Sequence, residues 1–393
     1  MNTLLTFILA GLTMVGPLAI DTYLPSFPAI ALTFHASPLL IQQSLSAFLF
    51  TFAFMMLFYG TLSDSFGRKP VLMVSLVLYI IASCGAALAP SFGWLLACRV
   101  LQGLAAGAGS VIGRAIVQDR FSGIEAQKIL AHIMMVFGLA PAIAPVLGGW
   151  LQVSFGWRSV FWFLSAFGIL MFLMVYRKLE ETLPKQERHP FRLKQIAANY
   201  WKVLYHPQFV LISLAVGLGF GGFALYIGSA AYFVINILHM PETAFAWLFI
   251  PLISGMVLGS ALTAKLAHRL SRDKLVWTGY CLMLIAAGVN IAYNTFFAAA
   301  VPWAVLPIFL YSLALSISIP PMTLMALSHF PNNKGLASSM QSFIQMLIFA
   351  LVSGLIAPLL FDSALKLAYG VMSGLALSFM CWLLAQVKMD RAR

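Results

Sequence analysis

The sequence predicts an all-α membrane protein with twelve transmembrane helices in two six-helix halves. Of its 393 residues, 62% are hydrophobic and only 9% are charged, which is too little charge to cover the surface of a soluble domain. Apolar stretches of about 20 residues, the length that crosses roughly 30 Å of hydrocarbon, recur along the chain. One long polar interruption divides these stretches into six before it and six after it.

Twelve segments are apolar enough to be read as spans. They cover residues 3–26, 42–62, 70–90, 93–113, 129–152, 157–177, 207–236, 244–264, 275–294, 302–326, 336–358 and 365–387. The first lacks the basic start and the small-residue cleavage site of a signal peptide, so we expect it to remain as a span. All four cysteines fall within spans, and their spacing predicts neither a disulfide nor a metal site.

The polar interruption is read as a cytoplasmic linker over residues 178–206, between an N-terminal half (1–177) and a C-terminal half (207–393). In both halves a glycine and a basic turn follow the second span, in segments 60–70 and 259–270. This likeness indicates two repeats related by an axis normal to the membrane. A chance likeness between two basic turns is the alternative.

The basic residues predict the orientation of the chain. The net charge is +12, and with the N-terminus in the cytoplasm 20 of the 23 Lys and Arg residues fall on the cytoplasmic side. The three exceptions are Arg158 and Lys366 at outer ends and Arg99 within a span. This is the positive-inside pattern, which predicts that both termini are cytoplasmic. The basic charge then reflects topology, and no nucleic-acid partner is expected.

Asp21 is the only carboxylate that hydropathy places inside a span. A charge at membrane depth costs at least a few kcal/mol, so its presence there predicts a function, and proton-coupled transport is the function that a lone protonatable group favours. Arg99 lies at a similar depth, with both residues roughly 7–9 Å below the outer interface at 1.5 Å per residue. An ion pair is geometrically possible if the first and fourth spans adjoin.

The pairing predicts how a proton is loaded and released. A neighbouring cation favours the ionised form of Asp21, whereas dehydration favours the protonated form. Movement between a wet and a dry cavity therefore exchanges one proton. The alternative reading is structural: Asp21 reaches the membrane interface, and Arg99 donates hydrogen bonds to backbone carbonyls.

The segment between the second and third spans carries a spaced set of glycines and charges. A very tight turn there accounts for Gly60 and Gly67. Asp64 is expected near the positive N-terminal end of a neighbouring helix, and Arg68 and Lys69 are expected to pair with a carboxylate. Such breakable contacts are typical of a latch between two states. A basic loop that only fixes orientation is the alternative, but it leaves the glycine and aspartate spacing unexplained.

The fifth span combines two prolines with three glycines, namely Gly138, Pro141, Pro145, Gly148 and Gly149. Proline removes a helix hydrogen bond and bends the helix, and glycine lets a neighbouring backbone approach closely. The run predicts a bent span with a functional role. Ordinary packing of small residues is the alternative.

Several polar, aromatic or soft side chains within spans are candidates for a substrate pocket. These candidates are Met14, Gln102, Tyr226, Tyr232, Gln341 and Gln345. Packing, or a place in the aromatic belts at the membrane interfaces, is the alternative for each of them.

Taken together, five motifs carry a resemblance to a known family. Segment 60–70 (GTLSDSFGRKP) resembles the signature loop of the major facilitator superfamily, and segment 94–103 (WLLACRVLQG) resembles its fourth-span arginine motif. Segment 138–151 (GLAPAIAPVLGGWL) resembles the fifth-span antiporter motif, and 21–25 (DTYLP) resembles the first-span motif of the drug:proton antiporters. With TLPK at 182–185, the chain most resembles the bicyclomycin-resistance/chloramphenicol-efflux branch.

The resemblance implies a twelve-helix fold whose spans one, four, seven and ten line a central cavity. It also implies that Asp64 faces the start of span eleven, near residues 336–339, and that Arg68 pairs with Asp119 below span four, contacts that would hold the outward-facing state. One departure concerns residues 11–14 (GLTM), where several multidrug antiporters carry a second acid. Neutral, zwitterionic or weakly charged substrates are therefore expected.

These observations predict a proton-coupled secondary exporter of small amphipathic drugs, such as chloramphenicol-like or bicyclomycin-like compounds, in the bacterial inner membrane. No nucleotide-binding loop, serine-hydrolase elbow or zinc-protease motif occurs, so an enzyme is not expected, nor is a cofactor or a metal. The expected partners are the substrate, protons and the lipid bilayer, with the chain as a monomer. Export of an endogenous metabolite (a sugar, amino acid or siderophore), uptake by symport, and a non-transporting receptor or membrane enzyme are the alternatives.

Overall fold

The computed structural model describes residues 3–188, 190–267, 269–330 and 334–390, and these residues contain helices and no strand. Twelve of the described helical segments are long and apolar enough to cross a membrane. The predicted all-α class and the twelve spans are thus confirmed. Arg391 and Arg393, which were counted toward the cytoplasmic charge, lie outside the described residues.

The helices follow one another along the chain, and the longest connection runs from Lys178 to Leu193. They are α1 Thr3–Asp21, α2 Phe27–Phe34, α3 Pro38–Phe66, α4 Arg68–Ala87, α5 Phe92–Ala106, α6 Ala108–Arg120, α7 Gly123–Phe155, α8 Arg158–Lys178, α9 Leu193–Leu204, α10 Pro207–Gly228, α11 Ala230–Tyr232, α12 Ala246–Leu266, α13 Arg272–Phe296, α14 Leu306–Ser328, α15 Lys334–Leu351, α16 Ala357–Leu360 and α17 Ala364–Asp390. Short 3₁₀ turns span Leu24–Ser26 and Lys185–Glu187, and π-helical segments span Phe233–Ile237 and Val352–Ile356.

The first span is longer than predicted and is broken once. Its apolar helical segment runs over Leu4–Phe34, whereas hydropathy placed its end near residue 26. The break follows Asp21, where α1 ends and a 3₁₀ turn with Pro25 near its start leads into α2. Proline has no N–H to donate to the preceding turn, so a helix breaks readily there. Asp21 consequently sits at a discontinuity of the span.

Contacts divide the chain into two compact units, Met1–Leu193 and Lys194–Arg393. Within the first unit, α1 packs against α7, α3 against α5, and α4 against both α5 and α8. Small residues allow these close approaches: Gly103 of α5 faces the backbone of Phe48 on α3. The predicted boundaries at residues 177 and 207 stay a prediction.

Within the second unit the helices pair in a corresponding order. The seventh span packs against the eleventh (α10 with α15), the eighth against the tenth (α12 with α14), and the ninth against the tenth and twelfth (α13 with α14 and α17). These are the same pairs, shifted by six spans, that the first unit forms. The shared packing order favours the internal repeat over a chance likeness between two basic turns.

At the start of α10 and the end of α14, two histidines stack on each other. The rings of His206 and His329 lie with centroids 4.6 Å apart, and the backbone N–H of Phe209 donates to Nδ1 of His206 at 3.3 Å. Burial, and then the neighbouring His206, lower the pKa of His329 below its ordinary value of 6.5. The folded state therefore favours the neutral imidazole of His329.

We expect acid to weaken the second unit through His329. A lowered folded-state pKa means that the unfolded chain takes up the proton first, so the stabilisation is present above pH 6.5 and is lost as the pH falls toward the lower folded value. In thermal unfolding of the detergent-solubilised protein, His329→Asn should show a smaller drop in Tm between pH 7.5 and 5.5 than the wild type. His35→Asn, at an exposed position, is the control, and an equal drop in all three proteins would contradict the assignment.

Candidate functional site

Asp21 ends α1 and is buried, with 2% of its surface exposed. Among the described residues its Oδ1 atom has no hydrogen-bond partner. The following residue, Thr22, turns its hydroxyl back to the carbonyl of Leu18 at 2.6 Å, so it does not solvate the carboxylate. A buried carboxyl oxygen without a donor is a costly arrangement for the ionised form.

Arg99 is the buried cation of the same unit, with none of its surface exposed. Its Nη1 donates to the carbonyl of Ala19 at 3.1 Å and to Oε1 of Gln102 at 2.9 Å. The guanidinium carbon lies 4.4 Å from the ring centroid of Tyr23 and 4.3 Å from that of Phe48. These aromatic faces stabilise the cation in place of water.

No ion pair joins Asp21 and Arg99 in the described part of the chain. The pairing that equal depth made possible is not formed, and Nη1 of Arg99 donates to the carbonyl of Ala19 and to Gln102 instead. Its Nε and Nη2 atoms have no partner among the described residues. The contact with the carbonyl of Ala19 matches the alternative reading of Arg99, in which it bonds backbone. Both side chains are nevertheless buried, and the carbonyl that Arg99 contacts belongs to Ala19, two residues before Asp21 on α1.

Gln102 accepts a hydrogen bond from Arg99 and is fixed by a second hydrogen bond to α4. Its Nε2 donates to Oγ of Ser83 on α4 at 2.8 Å, and Ser83 in turn donates to the carbonyl of Tyr79 at 2.7 Å. Gln102 is completely buried. Both ends of its amide are thus engaged inside the unit, which places it as a support of Arg99 and not, in this arrangement, as a free substrate contact.

The end of α3 and the start of α4 form a polar cluster around Arg68, which is 7% exposed. Its Nη1 donates to Asp64 Oδ1 at 2.5 Å and to Ser63 Oγ at 2.7 Å, and its Nε donates to Asp119 Oδ2 at 3.0 Å. Asp119 lies near the end of α6, so the guanidinium ties α3, α4 and α6 together. Lys69 donates from Nζ to the carbonyl of Tyr176 at 2.9 Å.

The turn between α3 and α4 corrects one prediction. It consists of Gly67 alone, whose φ of +101° favours glycine. Gly60 lies inside α3, and a Cβ placed there meets no atom within 4 Å. The expectation that Gly60 serves the tight turn is therefore wrong, because the helix continues for a further six residues beyond it to Phe66.

Asp64 contacts Arg68 within the first unit. Its side chain is 44% exposed and pairs with Arg68 one turn along the chain, and the carboxylate at the N-terminus of α4 belongs to Glu181 instead. Glu181 accepts from the backbone N–H of Arg68 at 3.0 Å and of Lys69 at 3.3 Å. The predicted approach of Asp64 to span eleven concerns two separate units and stays a prediction.

The proline- and glycine-rich run lies within α7, which continues through Pro141 and Pro145. A Cβ at Gly148 would lie 2.7 Å from the carbonyl carbon of Thr22, the residue that follows Asp21 in the chain. Gly148 therefore lets α7 pack on the break that positions Asp21. At Gly138 a Cβ meets nothing within 4 Å, so close packing does not explain that glycine; Gly149 is buried on the same helix.

Gly148→Ala is expected to destabilise the protein and to disturb the end of α1. The added methyl group must displace the backbone of Thr22, and overpacking of this kind costs about 1–3 kcal/mol. Gly138→Ala is the matched control, since open space surrounds it and alanine favours helix more than glycine does. Thermal unfolding in detergent compares the two variants. Equal Tm values would show that α7 moves to accommodate the methyl group at Gly148, and would contradict the prediction.

The remaining pocket candidates lie in several places. Tyr226 is buried and its hydroxyl accepts from Asn290 Nδ2 at 2.8 Å. Gln341 is buried and donates from Nε2 to Thr323 Oγ1 at 3.2 Å. Each of these two side chains is thus engaged within the second unit.

Tyr232, Gln345 and Met14 are half-buried. The ring of Tyr232 stacks on that of Phe361, with centroids 4.6 Å apart. Gln345 lies on α15 where Gly217 of α10 approaches its Cα, and Met14 lies on α1. The structure therefore does not gather the six candidates into one cluster within either unit.

Sequence reasoning missed three contributors. Tyr23 and Phe48 enclose Arg99, and Glu181 caps α4. Tyr23 stands two residues after Asp21, which is a usable signal. Phe48 is one of 32 phenylalanines and Glu181 stands in a polar linker, so neither carries a local signal.

Comparisons with known proteins agree with this architecture. A family model described as Major Facilitator Superfamily matches residues 9–358. The chain is 31% identical over 356 residues to an uncharacterized MFS-type transporter YdgK of Bacillus subtilis, covering 90% of this chain and 88% of that protein. It is 28% identical over 358 residues to a bicyclomycin resistance protein homolog of Haemophilus influenzae, covering 91% and 90%. It is 26% identical over 336 residues to the multidrug resistance protein MdtL of Escherichia coli, covering 86% and 84%.

Two solved structures share the fold. The human organic anion transporter MFSD10 (TETRAN) superposes with a TM-score of 0.72 at 18% identity, covering 98% of this chain and 99% of that one. A bacterial homolog of the human lysosomal transporter Spinster gives a TM-score of 0.73 at 18% identity, covering 100% and 99%.

Proposed function

This chain belongs to the Major Facilitator Superfamily of membrane transporters, and we propose that it exports small amphipathic compounds in exchange for protons. The protein is a multi-pass transporter and not an enzyme. Proton coupling, the direction of transport and the substrate class are the parts that we propose.

The observation that carries the proposal is the burial of Asp21 at the break in the first span. The carboxyl group is 2% exposed, its Oδ1 has no partner in the described residues, and no ion pair satisfies its charge. Burial without compensation favours the protonated carboxyl. Access of water to this site favours release of the proton, so alternating access would load the carboxyl from one side and discharge it to the other.

Arg99 would supply the counter-charge for the discharged state. It is held next to the end of α1 through Ala19, and its Nε and Nη2 have no partner among the described residues. These two N–H groups form one edge of the guanidinium, which matches the two oxygens of a carboxylate. An ionised Asp21 that turned toward this edge would be stabilised until the next proton arrived.

The substrate class is proposed from two considerations. Relatives of this chain bear the names bicyclomycin resistance protein homolog and multidrug resistance protein. The first span holds one acid, at Asp21, and residues 11–14 hold none. One acid that must exchange a proton is poorly suited to strongly cationic substrates, so neutral, zwitterionic or weakly charged compounds such as chloramphenicol are favoured.

The orientation and the latch complete the proposal. The excess of Lys and Arg in alternate loops favours cytoplasmic termini in a bacterial inner membrane. The Arg68 cluster with Asp64 and Asp119 would then lie on the cytoplasmic side and hold one conformational state by ion pairs that can break. We propose that a monomer performs transport.

The test is substrate-driven proton movement in proteoliposomes that contain the purified protein. A pH-sensitive dye inside the vesicles reports protons when chloramphenicol is added to one side under an imposed pH gradient. Proton movement that requires both protein and drug supports antiport. Transport of chloramphenicol without proton movement would contradict the coupling, and activity only with sugars or amino acids would replace the proposed substrate class by an endogenous metabolite.

A further inference from the structure

The linker that follows α8 does not leave the first unit directly. Residues 180–188, here called the linker strap, fold back over the start of α4 and the end of α6. Arg120 at the end of α6 forms an ion pair with Glu180 at 2.7 Å, and Thr182 Oγ1 donates to Asp119 Oδ2 at 2.8 Å. The strap therefore contacts the Arg68 cluster through Asp119.

Glu181 makes the densest set of contacts in the strap. Its Oε1 accepts from the backbone N–H groups of Arg68, Thr182 and Leu183, each at 3.0 Å. Its Oε2 accepts from the N–H of Lys69 at 3.3 Å and lies 3.5 Å from Nη2 of Arg188. The first N–H groups of a helix have no partner inside the helix and carry its positive end, so one carboxylate here stabilises both α4 and the strap.

Arg68 is thereby fixed at both its main chain and its side chain. Glu181 holds its N–H, and Asp119 holds its guanidinium. The same Oδ2 atom of Asp119 also accepts from Thr182, the residue next to Glu181. A displacement of the strap therefore shifts two of the contacts that place the Arg68 side chain.

The geometry of Gly67 shows how closely the strap is seated. A Cβ at Gly67 would lie 2.5 Å from Oε2 of Glu181 and 2.6 Å from Nη2 of Arg188. The glycine thus serves the strap as well as the turn, because only a residue without a side chain leaves room for this carboxylate and guanidinium.

We propose that the linker strap is a working part of the cytoplasmic latch and that Glu181 is the positioning residue through which the linker controls Arg68. Pulling on the linker would release Glu181 from α4, free Asp119 from Thr182, and so loosen the Arg68 cluster. The expected effect on transport rests on the proposed function. The coupling between Glu181 and the Arg68 cluster does not depend on any substrate.

Hydrogen–deuterium exchange of the full-length protein in detergent tests the coupling without a substrate. Glu181→Ala should raise the exchange rate of the amides of Arg68 and Lys69 by about tenfold, as expected when a hydrogen bond to a charged group is lost. Thr182→Val, which keeps the shape and removes only the hydroxyl donated to Asp119, should raise exchange across the strap. Asp362→Ala is the control, because that carboxylate is half exposed and pairs with Lys366 outside the linker strap. Unchanged exchange at residues 68–69 in Glu181→Ala would overturn the inference.

Transport separates a positioning role from a merely structural one. In proteoliposomes with chloramphenicol, Glu181→Ala should lower the maximal rate by about tenfold and leave KM within about twofold, because the latch governs interconversion of states and not binding. Glu181→Gln keeps one acceptor oxygen and should fall between Ala and wild type. A rise in KM at unchanged maximal rate, or an equal loss in Asp362→Ala, would overturn the inference. If the wild type transports no test compound, the proposed function fails and the exchange experiment still decides the coupling.

Discussion

Replacing Asp21 by asparagine is expected to abolish drug-driven proton movement in proteoliposomes. Asparagine resembles the protonated carboxyl in size and polarity but cannot change its charge. The variant therefore stays in the neutral state that burial already favours. Proton movement should fall to the level of protein-free vesicles, a loss of at least about tenfold, in line with the cost of removing a group that acts in proton transfer.

A second readout shows that Asp21→Asn remains a folded carrier. Exchange of labelled for unlabelled drug across the membrane needs no net proton transfer, so it should persist at a substantial fraction of the wild-type rate. Asp362→Asn is the matched control, since that carboxylate is half exposed and pairs with Lys366 at the surface. If proton movement survives in Asp21→Asn, the proton is carried elsewhere and the central proposal is wrong.

Replacing Arg99 by lysine is expected to impair transport almost as severely, although the charge is kept. The guanidinium of Arg99 lies between the rings of Tyr23 and Phe48 and donates to Ala19 and Gln102. A lysine ammonium is compact and strongly hydrated, and it has no planar face or fork with which to repeat these contacts. Loss of one buried, charge-assisted hydrogen bond alone corresponds to about tenfold or more in rate.

The measurement is the initial rate of drug-driven proton movement in Arg99→Lys, with thermal unfolding of the same samples. Arg158→Lys is the matched control: Arg158 also stacks on an aromatic ring, that of Trp157 at 4.2 Å, but it is exposed at the start of α8. A rate close to wild type in Arg99→Lys would show that charge alone is needed. A large drop in Tm without a drop in rate would make Arg99 structural.

Asp64 and Glu181, two carboxylates beside Arg68, illustrate what a local sequence motif does and does not predict. The glycine and aspartate spacing led to an anion at a helix N-terminus, and such an anion is present, but it is Glu181, 113 residues from its partner Arg68. Asp64 pairs instead with Arg68 one helical turn away. The motif carries no signal of Glu181, because the linker strap comes to the turn only when α4 and α8 pack together. The approach of Asp64 to span eleven stays a prediction.

Local properties of the chain determined the spans by themselves. Apolar length, charge bias and the position of Gly67 depend on neighbouring residues, so twelve spans and the tight turn were predictable. The end of the first span was not, since α2 continues the apolar helix after a break at Pro25. A hydropathy average over many residues does not detect such a break. The break arises because Pro25 has no N–H to donate to the preceding turn.

Only the tertiary structure decided which partners the buried side chains of Asp21 and Arg99 have. Depth along two spans allowed Asp21 and Arg99 to pair, yet depth says nothing of which side of a helix a residue occupies or which neighbour claims its hydrogen bonds. Nη1 of Arg99 instead donates to Ala19 and Gln102, and the guanidinium lies against the rings of Tyr23 and Phe48. These contacts come from α1, α3, α5 and the turn after α1. Burial of a charge is set by long-range packing, and so the sequence determined that Asp21 and Arg99 lie in the membrane, while the fold determined that they lie there unpaired.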